Sequence, residues 1–438
     1  MKSIRSIWLW IVFLGIAFVL ALGVFSITLA KTSARQANAP STTAGRTYLP
    51  LVIVQSTATP TPTSTPTVTR TPTAAPSATL VPSASPVPLV ALRKGPDVIL
   101  TGDNTTMKVG WQLASKSTAT LQWGADTHYT LGSVNTTEYN TDHQHAYTLT
   151  GLTPGAKYFY RVVVPTGYSA GTFYAAPPPS AASLKFFAYG DTRDGASIQD
   201  QIDGQINATY AADPAFQTFI LNVGDLVSNG DSESLWTTQF FDQNFKNIRT
   251  TLANIPFLPV MGNHENSGVL FKKYFPMPFV AGRYWSFDYG PAHVVMLDQY
   301  IAYDVGSVQY TWLNNDLAAS TKTWKFILLH EPGWSAAGGH LNDPTVQTAI
   351  QPLAEKYGVS IIFGGHNHYY ARAVVNGIQH LTVGGGGAPL YSPVPGQPYV
   401  VKTSKSYSFV KIAIDGNTLT GTALQSDGTP IETFTITR

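Results

Sequence analysis

Five apolar runs in the second half of the chain each stop abruptly on a polar residue. They are FFAYGD ending at Asp191, FILNVGD at Asp225, FLPVMGN at Asn263, KFILLH at His330 and SIIFGGH at His366. Short apolar runs bounded this way read as buried strands, each delivering one polar group at its carboxyl end. Between them lie helical patterns. Ile198, Ile202, Ile206 and Tyr210 recur four apart, and Val308, Trp312 and Leu317 fall on one face. Strands alternating with helices make an α/β domain, assigned to residues 184–438. In such sheets, sites form outside the carboxyl ends of the strands, where loops converge on a rigid frame. Five deliveries of this kind argue for one site.

The polar set is coherent. The chain has no cysteine, which excludes disulfides, thiolate nucleophiles and thiolate-bound zinc, and leaves imidazole and oxygen donors. His368 follows His366 with one residue between, so the set comprises Asp191, Asp225, Asn263, His330, His366 and His368. A mixed nitrogen and oxygen sphere suits zinc, manganese or iron better than calcium or magnesium. Six groups exceed the need of one tetrahedral ion, whereas two ions roughly 3.5–4 Å apart and sharing a carboxylate would use them all.

The first half is organised differently. Lys2 and Arg5 precede an uncharged run from Ile7 to Leu29, so residues 1–30 read as a signal peptide or membrane anchor. The run is long enough to span a bilayer, which favours the anchor; cleavage after Ala30 or Ala34 is the alternative. Either way the remainder is exported, to the cell surface or the medium. Residues 31–91 are a linker: from Thr57 to Pro88, proline alternates with Thr and Ser around one charge, Arg70, a composition that cannot bury a core and favours an extended stalk. Residues 92–177 carry short β-rich runs such as MKVGWQLA, ATLQWG and KYFYRVVV, expected to form an all-β, fibronectin-III-like sandwich. Leu152, Pro154, Gly155 and Tyr158 have the spacing of a tyrosine corner. APPPSAA, from Ala176 to Ala182, then marks a boundary. With a net charge of only +2 and no basic cluster interleaved with aromatics, no nucleic-acid-binding surface is evident.

The motifs GD at Gly190, GDLVS at Gly224, GNHE at Gly262, LLHEP at Leu328 and GHNHYYAR at Gly365 resemble, in order and approximate spacing, the calcineurin-like metallophosphoesterases. Within these the chain is similar to the purple acid phosphatase group, whose members often carry a fibronectin-like domain before the catalytic one. The resemblance runs from about Leu92 to Thr437. It implies two β-sheets sandwiched by helices, a dinuclear site of Fe, Mn or Zn, and a phosphate ester substrate. Asp225 would bridge the ions, Asp191 and His368 would bind the first, and Asn263, His330 and His366 the second. His264 would face the phosphate and its leaving group, and His340, in the Gly-rich SAAGGHLND loop, would contact substrate.

Two positions depart from the family pattern. Ser228 stands where the purple enzymes place a tyrosine, so an iron–tyrosinate colour is not expected. Arg193 stands where many relatives have a histidine, which leaves the first ion three clear protein ligands, with water or Asp194 to complete its sphere. Arg193 itself is read either as a cation for the phosphate or as a structural salt bridge. The implied activity is hydrolysis of phosphate monoesters by a metal-activated hydroxide. The alternatives are a phosphodiesterase or nucleotidase on the same ions, and a non-catalytic surface binding protein with a degraded site. LTVGGGGAPLY, ending at Tyr391, reads as a tight turn beside the site. His128, His143, His145, His293 and His380 are given structural roles.

Overall fold

A computed structural model describes residues 88–438. The expected export segment, its anchoring run at residues 7–29 and nearly all of the Pro/Thr tract lie outside the described residues. Among the described residues, no helix is long and apolar enough to cross a membrane.

The first seven strands are β1 Lys94–Ile99, β2 Met107–Gln112, β3 Ala119–Gly124, β4 Gly132–Thr136, β5 Gln144–Leu149, β6 Lys157–Val164 and β7 Gly167–Tyr174. They form two antiparallel sheets, β1-β2-β5 and β4-β3-β6-β7, the fibronectin-III-like sandwich expected from their alternation. In β7, and in β6 up to Val163, buried residues alternate with less buried ones, as a sheet with one face on a core requires. The corner forms as expected, with the Thr153 amide donating to Tyr158 Oη at 2.8 Å.

The second domain has thirteen strands: β8 Ser183–Tyr189, β9 Ile220–Asn222, β10 Phe257–Pro259, β11 Trp285–Tyr289, β12 Ala292–Met296, β13 Trp324–Leu328, β14 Ile361–Gly364, β15 Tyr370–Val375, β16 Ile378–Val383, β17 Val400–Ser404, β18 Ser408–Asp415, β19 Thr418–Gln425 and β20 Pro430–Thr437. They build a six-stranded sheet, β10-β9-β8-β18-β19-β20, and a seven-stranded one, β11-β12-β13-β14-β16-β15-β17. β8, β9 and β10 run parallel, as do β12, β13, β14 and β16. The sheets meet through aromatic packing: Phe186 of β8 lies 5.4 Å from Phe326 of β13 and 6.3 Å from Phe363 of β14, centroid to centroid. Each such buried ring contributes roughly 1.5–3 kcal/mol. Helix Ala196–Ala212 buries Ile202 and Ile206 against the first sheet's core. Leu313 and Leu317 of helix Val308–Ala319 pack with Ile327 and Ile362 of the second. The stripe expected through Val308 is displaced to Gln309, Leu313 and Leu317, because Val308 follows the capping Ser307 in the first, exposed turn.

Two seams hold this frame. Tyr160 Oη of the sandwich donates to the Ala253 carbonyl at 2.8 Å, and Asn254 Oδ1 accepts from the Thr172 amide at 2.8 Å, so the domains share polar as well as apolar contacts. Between the two sheets, Glu432 of β20 accepts from Tyr370 Oη at 2.8 Å and from Arg372 Nε and Nη2 at 3.0 and 2.7 Å. The last part of GHNHYYAR is therefore a brace and not part of the site.

A buried histidine between two less buried carboxylates gives the fold a pH dependence. His293 of β12 lies directly across from Asp288 of β11 and bonds it at 2.8 Å through Nδ1, while Nε2 meets Asp316 at 2.9 Å. Burial alone would lower its pKa, but the two carboxylates outweigh burial and push it up to about 9. A raised folded-state pKa stabilises fully below the unfolded value near 6.5 and is lost as pH rises through about 9. His293→Gln should therefore cost ~3 kcal/mol near pH 6, by urea unfolding, with the difference from wild type shrinking towards pH 10. A pH-independent cost would refute the assignment.

Candidate metal centre

All nine residues singled out for the site converge at one end of the two sheets. Asp191, Asp225 and Asn263 follow β8, β9 and β10; His330 and His366 follow β13 and β14; His368 leads into β15. Asp191, Asp225 and His366 each have positive φ, of 56°, 56° and 63°. A left-handed backbone at three ligand-bearing positions costs of order 1–3 kcal/mol each and persists only where the surroundings impose it. Close backbone packing does so. Gly386, in the run GGGG, donates its amide to the Gly190 carbonyl at 2.8 Å, and a Cβ there would meet that oxygen at 2.2 Å. The glycine run is thus a backbone wedge against the Asp191 loop.

Three of the imidazoles are oriented by their other nitrogen. His330 Nδ1 donates to the Val223 carbonyl at 2.6 Å, His368 Nδ1 to Pro389 O at 2.8 Å and His264 Nδ1 to Ser228 O at 2.8 Å. Their Nε2 lone pairs are thereby turned inward. His330 Nε2 then lies 3.2 Å from Asn263 Oδ1 and 3.2 Å from His366 Nδ1, and 3.5 Å from Asp225 Oδ1. An acceptor facing an acceptor at this range is repulsive unless a cation lies between them. Asp191, Asp225 and His368 offer a second cluster whose ligand atoms all lie within 4.8 Å of one another. His368 Nε2 is buried there with no hydrogen-bond partner and lies 3.6 Å from Asp191 Oδ1. Two groups of converging lone pairs, joined by Asp225, fit two cations.

The electrostatics agree. Burial, then the repulsion of neighbouring imidazoles, pushes His366 down to about 2, and burial pushes His368 down to about 4. Both are neutral, as ligands must be. Burial and the adjacent Asp225 charge hold the Asp191 carboxyl well above the usual range, a strain that a bound cation relieves.

His264 donates its amide to Asp225 Oδ1 at 3.0 Å, and its Nε2 lies 3.8 Å from Asp225 Oδ2. The Arg193 Nε sits 3.4 Å from Asp225 Oδ2, buried and without a hydrogen-bond partner, while its Nη1 reaches Asp194 at 3.2 Å. The His340 ring stacks on His366 with centroids 3.7 Å apart. The Ser228 hydroxyl is bonded to Gln239, as is Asp194, so both are engaged away from the first cluster.

Supporting residues were less legible. Glu265, fully buried, accepts from the Asp225, Leu226 and Gly262 amides at 2.9, 2.8 and 2.6 Å and so ties two site loops together. Burial and Asp225 push its pKa up to about 8. Its place three residues after Gly262 has capping-box spacing, the one signal that could have found it. Gln299, whose Oε1 accepts the His330 amide at 2.7 Å, carried no signal at all.

Comparison with known proteins agrees with this geometry. Residues 94–174 match the family described as Purple acid Phosphatase, N-terminal domain, and residues 185–370 match Calcineurin-like phosphoesterase. Purple acid phosphatase 21 of Arabidopsis thaliana is 29% identical over 276 residues, covering 57% of this chain and 59% of the relative. Purple acid phosphatase 18 of the same plant is 27% identical over 324 residues, covering 66% and 70%. The chain thus spans only part of the length of its curated relatives. The solved purple acid phosphatase PPD1 from yellow lupin seeds superposes with a TM-score of 0.67 at 20% identity, covering 79% of this chain and 75% of that one, and so shares the fold. Along one chain, then, a purple acid phosphatase N-terminal domain precedes a calcineurin-like phosphoesterase domain, and the protein is similar to the purple acid phosphatases over both.

Proposed function

We propose that this chain is an exported, metal-dependent phosphatase acting on phosphate monoesters. The observation that carries the reading is the pair of lone-pair clusters sharing Asp225: His330 Nε2, Asn263 Oδ1 and His366 Nδ1 in one, Asp191 and His368 in the other. When bound, two ions of Fe, Mn or Zn supply Lewis acidity, which lowers the pKa of an attacking water and neutralises charge on the phosphoryl oxygens. The protein's own groups do the rest. His264, with its Nδ1 proton fixed on the Ser228 carbonyl, presents Nε2 to the site and, when protonated, gives that proton to the departing alkoxide. His340 lines the same cleft. Export rests on the charged start and apolar run of the amino terminus.

Arg193 binds the phosphate in this reading. A buried guanidinium nitrogen without an acceptor, beside the shared carboxylate, is a donor awaiting an oxygen. Arg193→Met should raise KM for an aryl phosphate roughly 10-fold or more, the worth of a hydrogen bond to a charged group, with kcat changed less and metal content kept. An unchanged KM with a lower melting temperature would make it a salt bridge only.

The reading as a whole is tested on residues 88–438. Bound metal is measured, and aryl phosphate monoesters and diesters are assayed with and without chelator. Chelator-sensitive turnover that favours monoesters is expected. Turnover favouring diesters would reassign the substrate class, and absence of both bound transition metal and turnover would overturn the enzyme.

A further inference from the structure

The glycine-rich run after β16 does more than turn: it carries Tyr391 into the cleft. The Tyr391 amide donates to the His368 carbonyl at 3.1 Å, and its ring stacks on the His368 ring with centroids 4.3 Å apart and planes 14° apart. Its Oη lies 3.3 Å from His340 Nε2. His340 is itself fixed, its amide on Asn367 Oδ1 at 2.8 Å and its ring on His366. Gly339 packs so closely that a Cβ there would come within 2.1 Å of the Tyr391 ring. Tyr391 therefore bridges His368, of one cluster, and His340, which stacks on His366 of the other. Its ring is held on His368 and its hydroxyl is next to His366's stacking partner. It remains partly exposed.

This is more constraint than a loop tyrosine needs for packing. A phenol has one proton and two lone pairs. With His340 Nε2–H donating to Oη, the hydroxyl proton remains for an oxygen in the cleft. We infer that Tyr391 contacts the substrate: its hydroxyl, oriented by His340, donates a hydrogen bond to an oxygen of the phosphate ester. This rests on the phosphatase reading and adds to it a neutral donor on the wall built from the second sheet, facing substrate together with His264 and Arg193 from the first.

Tyr391→Phe keeps the ring and removes only the donor. For the metal-loaded chain, KM for an aryl phosphate monoester should rise about tenfold. The dissociation constant for inorganic phosphate, titrated directly, should weaken by a similar factor, with metal per chain unchanged. In a double-mutant cycle, His340→Asn should cost much less in the Tyr391→Phe background than alone, because the two act as a unit. Unchanged KM and phosphate affinity would overturn the inference. So would loss of metal in Tyr391→Phe, which would make the residue a support for His368, or strict additivity in the cycle. If the wild type shows no chelator-sensitive turnover, the phosphatase reading fails instead, and the phosphate titration still tests Tyr391 on its own.

Discussion

Asp225→Asn is expected to lower kcat/KM by roughly 10³-fold or more, equivalent to ~4 kcal/mol of transition-state stabilisation. No other side chain touches so much of the site. Its Oδ1 accepts the His264 amide at 3.0 Å and lies 3.5 Å from His330 Nε2, while its Oδ2 lies 3.4 Å from Arg193 Nε and 3.8 Å from His264 Nε2. The substitution keeps shape and volume and removes the charge. The loss then falls on both clusters at once, because the carboxylate they share is gone, and on Arg193, whose Nε loses the carboxylate beside it and whose charge keeps only the more exposed Asp194 as a partner. Metal per chain should fall together with turnover. Retention of both would show that the shared carboxylate is misassigned, whereas loss of turnover alone would separate charge from metal binding.

Stripping the metal is the second large effect. Chelated protein should lose turnover and regain it with added Zn, Mn or Fe, and should melt several degrees lower. A ligand at a hundred to a thousand times its dissociation constant stabilises by ~3–4 kcal/mol. The metal-free site is poorly balanced. His330 Nε2 faces Asn263 Oδ1 at 3.2 Å, His368 Nε2 has no partner, and Asp191 is buried beside Asp225. Protons act on this site in opposing ways: His366 and His368, depressed to about 2 and about 4, refuse protons that the unfolded chain takes up below about 6.5, whereas Asp191 and Glu265, raised by burial, hold protons that the unfolded chain releases. Identical melting curves with and without chelator would contradict two buried cation sites.

The candidate ligands were legible because all but one sit where an apolar run stops. A strand buried on both faces has no polar residues of its own, so a carboxylate or imidazole at its end stands out, and five in order point to one place. The sandwich was legible for the matching reason that one-sided strands alternate. Glu265 and Gln299 were not legible, because a residue that only holds another's backbone obeys no periodicity. Val308 was misplaced by periodicity itself: spacing marks a helical face but does not say where the first turn leaves the sheet.

Local pattern and residue type at strand ends were enough to read the order of the two domains, the candidate donors and the resemblance to the purple acid phosphatases. What each signature residue touches is visible only in the folded chain. Tyr370 and Arg372 match the family motif as well as His366 and His368 do, yet they turn the other way to brace β20 through Glu432. Tyr391, in a run read as a turn, lies against His368. The physical reason is that alternation along a strand fixes only which residues share a face. Which face meets the cleft and which meets the neighbouring sheet is set by packing between segments far apart in the chain.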